Sequence, residues 1–355
     1  MKNELRSVIK IINPYDPGKF PEDLEKDGIH PSKIVQLGSN ENPYKPPVKL
    51  IKKCAKALEI VNRYPDPKYR KLRKKLAEYL NTNESNITFG CGASEILRNL
   101  CDLILDALDK VTIPMPSYTM YLLYSMLRDS SISLPIFPYY RIDPSKIDFD
   151  FKLLFLCSPN NPTGNVVPLS KIKKIAKKSS GYVVVDEAYA EFSNQSAVKL
   201  VEKFDNLIVV RSFSKYFALA GLRIGYAVAP SEVIEGLEKI RLPFGISVVG
   251  YEAALCALEM RDWFERIKKK IISERERVTE ELRKIKALKV FDSQANFVLI
   301  RVKEGIPFKE FEKRGIIVRD LSGLHGLKGN HIRVSIGLKC ENNKFIQTMK
   351  DCFKD

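Results

Sequence analysis

A succession of short apolar runs, each cut off by polar or glycine residues, constrains this chain more than any other feature. "NITFG", "KVTIP", "ISLPIF", "KLLFLCSP", "GYVVVDEAY", "NLIVVRSFS" and "RIGYAVA" alternate with amphipathic stretches between residues 86 and 229. A strand that is apolar at almost every position must be covered on both faces. Helices in the intervening segments supply that cover, and such connections join parallel strands. The expected fold class is α/β, a large domain with a mostly parallel sheet covered by helices. In open sheets of this kind, ligands bind at the carboxyl ends of the strands.

The flanks read differently. Residues 1–47, with "NPYDPGKFP" and "GSNENPYKPP", are rich in proline, asparagine and glycine and read as an extended N-terminal arm, part of a small domain. The large domain is expected over residues 48–250 and a small C-terminal α+β domain over 251–355. One long helix, at about 248–287, forms the hinge. It leads to the strands "FVLIRV", "IIVRD" and "HIRVSIG", with helices at about 307–314 and 341–353.

Composition narrows the function classes. The chain has 355 residues, with 59 Lys and Arg against 43 Asp and Glu, a formal charge of +16. The lysines are spread through amphipathic helices such as "KIKKIAKKSS", so they read as solvated surface and no nucleic-acid partner is expected. The seven cysteines form no C-x-x-C pair and do not cluster with the three histidines, so no metal site is expected. Scattered free cysteines suit a reducing, cytoplasmic setting. Lys10 and Asn13 interrupt the N-terminal apolar residues, and no run of 18 apolar residues occurs, so neither a signal peptide nor a membrane span is expected.

Four motifs fall at carboxyl ends of the expected strands. "VVVDEAY" places Asp186 and Glu187 there. A nucleotide-binding reading of that pair needs a G-x-x-x-x-G-K-[ST] loop, which is missing, whereas a capping carboxylate stays open. "ITFGCGASEIL" gives a strand, a glycine turn and a helix start whose N–H groups, near Ala93 and Ser94, suit a phosphate. "CSPNNPTG" carries Asn160 and Asn161, by itself only a turn signal. "RSFSKYFALAGLRIGY" sets Lys215 among Ser212, Ser214 and Arg223. A surface lysine would be unremarkable there, but the hydroxyls and the arginine make a second phosphate-binding cluster. A phosphate cradle, a buried acid, an amide and a lysine facing one cleft match what pyridoxal phosphate requires.

These motifs, with "PYDPGK", "LGSNENPY", "RYPDP", "PSYTMY", "ANF", "RDLS" and "IRVSIG", run through nearly the whole chain. Together they resemble the fold-type I pyridoxal-phosphate aminotransferases, and within them the histidinol-phosphate subgroup. The resemblance implies that Lys215 forms the Schiff base with the cofactor, that Asp186 faces the pyridine nitrogen, and that Tyr189 and Asn161 donate to the phenolic oxygen. It places Tyr118 on the cofactor ring and Ala93, Ser94, Ser212, Ser214 and Arg223 around the phosphate. Tyr64 corresponds to a tyrosine that reaches a neighbouring subunit's phosphate, which implies a homodimer. Arg333 corresponds to the arginine for the substrate carboxylate, and Arg319 and Tyr15 to groups for the substrate phosphate. The implied reaction exchanges an amino group between glutamate and imidazole acetol phosphate. Threonine-phosphate decarboxylase and aromatic-amino-acid aminotransferase share the same cofactor residues. Two positions depart from the pattern, Ser94 for an acidic residue and Lys45 for glycine, and Lys45 is expected near the substrate mouth.

Overall fold

The computed structural model describes residues 5–353. Strand β1 (Val35–Gln36) lies in the N-terminal region. Then come β2 (Ile87–Cys91), β3 (Lys110–Thr112), β4 (Ser131–Ser133), β5 (Leu153–Cys157), β6 (Tyr182–Asp186), β7 (Leu207–Ser212) and β8 (Ile224–Val228). These last seven form one sheet in the order β2-β8-β7-β6-β5-β3-β4.

The sheet is parallel except at β8, which runs antiparallel to both β7 and β2. The cause is local. A parallel return needs a crossover of a dozen or more residues, usually a helix. Residues 213–223 hold only a tight loop with the short 3-10 turn Ala220–Leu222, so β8 doubles back beside β7.

Alternation along the central strands decides which side chains meet. Leu153, Phe155, Val184, Ile208 and Val210 pack with the helices Gly92–Ile104, Met120–Met126 and Ser231–Ile240. Leu154, Leu156, Val183, Val185, Leu207 and Val209 pack on the opposite face, with Arg70–Leu80, Leu169–Lys178 and Arg261–Arg283. A residue at the end of β6 or β7 therefore enters one of two environments according to its parity.

A second sheet has the order β12-β13-β10-β9, from β9 (Leu288–Val290), β10 (Phe297–Val302), β12 (Arg319–Asp320) and β13 (Asn330–Ser335), all antiparallel. β11 (Ile316–Ile317) instead pairs in parallel with β1.

Three expectations need correction. The hinge helix is two helices, Val248–Glu259 and Arg261–Arg283, broken at Met260, which leaves helical geometry with ψ of 28°. Of the run "ISLPIF" only Ile132 and Ser133 are strand, within Ser131–Ser133, because Pro135 has no N–H for a ladder. The N-terminal segment is more than an extended arm. It contains a helix, Pro21–Lys26, and buries Val8, Leu24, Leu37 and Asn40.

Candidate active site

A cavity of about 210 Å³ opens at the carboxyl ends of β5, β6 and β7. The sequence-predicted residues Tyr15, Ala93, Ser94, Tyr118, Asn161, Asp186, Tyr189, Ser212, Ser214, Lys215, Arg223, Arg319 and Arg333 all line it. Two candidates do not. Tyr64 is 78% exposed and stacks on Phe244 at 4.2 Å, away from the cavity of its own chain. Lys45 is exposed and lies outside the cavity lining of its own chain.

Asp186 shares a parity with Val184, which turns it to the face of the helix Met120–Met126. It is 5% exposed, accepts from the Tyr121 hydroxyl at 2.6 Å and from the Ala188 N–H at 3.0 Å, and has no ion-pair partner among the described residues. Burial raises its pKa, and the Tyr121 hydroxyl pulls it back.

Lys215 sits in the loop between β7 and β8 and donates to the Ser39 carbonyl at 2.8 Å. Burial and then Arg333 lower its amine to a pKa of about 8, with Glu41 opposing them and Arg223 adding a lesser push in the same direction as Arg333. A lysine so placed is a nucleophile near neutral pH.

Tyr189 and Asn161 have their acceptor atoms engaged by the protein. The Tyr189 oxygen accepts from Asn40 Nδ2 at 3.0 Å. Asn161 Oδ1 accepts from Arg333 Nη1 at 2.7 Å. Each keeps a donor to offer to a ligand. Arg333 also donates to the Gly38 carbonyl and lies over the Phe297 ring at 5.6 Å. Its Nε is buried without a partner.

Arg319 is directly opposite Arg333 on paired strands. Like charges at such a position repel. Arg319 is met by Asp16, through its carbonyl and through Oδ2 at 3.6 Å, and it lies 5.8 Å from the Tyr15 ring centroid. Its Nη1 is also buried without a partner. Two guanidinium groups that line one cavity and each keep a buried N–H unpaired have donor capacity that suits an anion.

The phosphate-type cradle depends on two glycines. Gly92 has a φ of 76°, and a Cβ there would stand 2.5 Å from Arg223 Nη2. A Cβ on Gly225 would stand 2.3 Å from the Ala93 nitrogen. Both positions let the start of the helix Gly92–Ile104 approach Arg223 and β8. A lysine amine, an acid without a cation and an open cradle fit pyridoxal phosphate.

Sequence reasoning singled out neither Tyr121 nor Asn40, although both lie within quoted motifs, "PSYTMY" and "LGSNENPY". Tyr121 lies in the first turn of the helix Met120–Met126, one turn beyond Tyr118, whose carbonyl accepts from the Tyr121 N–H at 3.2 Å. Asn40 has a φ of 53°, a conformation asparagine tolerates, and its side chain reaches Tyr189 from 149 residues away. Among the described residues no group of three His, Cys, Asp or Glu could hold a metal ion, and no helix is long and apolar enough to cross a membrane.

Comparison with known proteins bears directly on this geometry. The family model described as aminotransferase class I and II matches residues 32–346. A curated relative from Archaeoglobus fulgidus, named histidinol-phosphate aminotransferase 2, is 48% identical over 98% of this chain and 100% of its own. A solved histidinol-phosphate aminotransferase from Sinorhizobium meliloti, in complex with pyridoxal-5'-phosphate, superposes with a TM-score of 0.89 at 24% identity, covering 100% of this chain and 98% of that one. An L-threonine-O-3-phosphate decarboxylase from Porphyromonas gingivalis gives 0.82 at 22%, over 91% and 100%, so the fold by itself does not choose the reaction. The extent of the family match and the 48% relative together show that the chain belongs to the class I and II aminotransferases.

Proposed function

We propose that the protein is a pyridoxal-phosphate-dependent transaminase that moves an amino group between glutamate and imidazole acetol phosphate, giving histidinol phosphate and 2-oxoglutarate. The observation that carries this reading is Asp186, buried without a cation at a cavity that also holds a lysine of lowered pKa. The similarity to the Archaeoglobus relative supports the substrate.

Lys215 anchors the cofactor through its amine, and Asp186 accepts from the ring nitrogen. Tyr189 and Asn161 offer their free donors to the phenolic oxygen. Ser94, Ser212, Ser214, Arg223 and the Ala93 N–H surround the phosphate. When bound, the cofactor supplies an electron-poor ring that takes up the electron pair left on the substrate Cα. Lys215 Nζ, once released, accepts the Cα proton, and a pKa of about 8 suits a base working near neutral pH. Arg333 and Arg319 hold the substrate anions, with Tyr15 alongside Arg319.

We also propose a homodimer. Leu58, Ile60, Val61, Tyr64 and Leu242 are each more than half exposed, and the stacking of Tyr64 on Phe244 joins the two segments. Such a patch supports burial against a second copy, with Tyr64 donating to the partner's phosphate. Seven free cysteines support a reducing cytoplasm.

The test is a half-reaction screen. The holoenzyme is mixed in turn with histidinol phosphate, glutamate, threonine phosphate and phenylalanine, and the cofactor's visible band is followed. Rapid bleaching by the first two is expected. Carbon dioxide release from threonine phosphate, or conversion of phenylalanine but not histidinol phosphate, would replace the named substrate.

A further inference from the structure

Tyr121 is fully buried and outside the cavity lining, yet it is locked on three sides. Its ring lies flat on Phe155, with centroids 4.7 Å apart and planes 3° apart. Its edge meets the Tyr118 ring at 5.5 Å and 84°. Its hydroxyl donates to Asp186 Oδ2 at 2.6 Å. One phenol thus ties the buried acid to the tyrosine expected on the cofactor ring.

The titratable groups that interact with Asp186 are Tyr118 and Tyr121 on one side, Cys157 from the end of β5, and Glu187 and Tyr189 after β6, none of them a cation. The cations Lys215, Arg223 and Arg333 line the same cavity without an ion pair to Asp186. Burial and Glu187 both favour the protonated carboxyl, and the donors that oppose this are the Tyr121 hydroxyl and the Ala188 N–H. A donor on a carboxylate stabilises its ionised form. Protonating Oδ2 would require the Tyr121 hydroxyl to turn from donor to acceptor and give up the bond it makes to the charged form.

We propose that Tyr121 is the positioning residue that keeps Asp186 ionised and aimed at the cofactor, so that the proton they share stays on the ring nitrogen. The inference rests on the pyridoxal-phosphate reading above. Tyr121 touches neither cofactor nor substrate and acts only through Asp186. Without its hydroxyl, Oδ2 is left buried and unsatisfied, the carboxyl form gains, and the ring loses its pull on electrons.

The experiment uses holoenzyme loaded with ring-¹⁵N-labelled pyridoxal phosphate. In wild type the ring nitrogen resonance is expected near its protonated limit. In Tyr121→Phe it should move toward the unprotonated value, with kcat reduced roughly ten- to a hundredfold, the worth of a hydrogen bond to a charged group, and KM for glutamate unchanged. In an Asp186→Ala background, Tyr121→Phe should change neither reading further. If Tyr121→Phe does not fold, 3-fluorotyrosine at position 121 keeps the shape and makes a stronger donor. The ring N–H proton resonance should then move upfield, because Asp186 becomes a poorer acceptor. An unmoved resonance in either variant, or equal losses of kcat with and without Asp186, overturns the proposal. A wild type that takes up no pyridoxal phosphate overturns the functional reading as well.

Discussion

Asp186 and Glu187 are adjacent carboxylates at the end of one strand, and they live in opposite worlds. Asp186 faces the cavity with a phenol and an N–H as its donors. Glu187 faces the other side of the sheet, where Arg211 donates to it at 2.9 Å and Ser196 and the Ala197 N–H complete its shell. Glu191 meets the same arginine at 3.4 Å. Arg211 has the parity of Leu207 and Val209, and Ser212 that of Ile208 and Val210. The same alternation therefore sends the arginine to Glu187 and the serine to the cavity. A buried carboxylate with its own cation is finished. One without a cation among the described residues is open to a cationic partner, and on the reading proposed above the cofactor's protonated ring would supply it.

The contrast can be broken from either side. Lys215→Ala should lower transamination by up to about 10⁴-fold, since the proton carrier is lost. Without cofactor, its melting temperature should not fall below that of cofactor-free wild type, because a desolvated amine has been removed. A matching loss of stability would show that Lys215 also holds the fold. Glu187→Ala leaves buried Arg211 with only the longer contact to Glu191 at 3.4 Å, and should cost up to about 3 kcal/mol in denaturant unfolding, the low end of the range for breaking a buried pair. The folded fraction of that variant should keep most of its kcat.

Asp186→Ala should do the reverse. Losing a charge partner of the reacting ring costs about 2.7–4 kcal/mol in the transition state, read as kcat, with stability close to wild type. Equal stability losses at the two positions would erase the distinction between them.

The smallest effect is a pH dependence. Folded Lys215 releases its proton at a pKa of about 8, whereas the ordinary value is 10.5. Only the neutral amine attacks an aldehyde, so uptake of pyridoxal phosphate by cofactor-free protein should rise about tenfold per pH unit below 8 and level off above it. Between pH 8 and 10.5 the unfolded chain holds the extra proton, so this group makes stability rise with pH across that window. An uptake rate still climbing at pH 10 would show that the amine is not depressed.

Much of this was legible in the sequence because it is written in short-range pattern. Continuous apolar runs imply strands covered on both faces. The carboxyl-end rule gathers Lys215, Asn161 and the Ala93–Ser94 turn into one cleft. The reversal of β8 was less legible, because it depends on a loop too short to cross the sheet. The break at Met260 carries no proline or glycine that would announce it.

Tertiary structure alone decided the rest. Chemical type marks Asp186 as an acid, but only packing shows that it lacks a cation while its neighbour has one. Pairing of β12 with β13 sets Arg319 opposite Arg333, and strand register is a long-range property. The hydrogen bonds from Asn40 to Tyr189 and from Lys215 to Ser39 join residues 149 and 176 positions apart. A sequence specifies which groups can donate, accept or carry charge. Which of them are satisfied by the protein, and which are left for a ligand, is settled only when distant segments come together and exclude water.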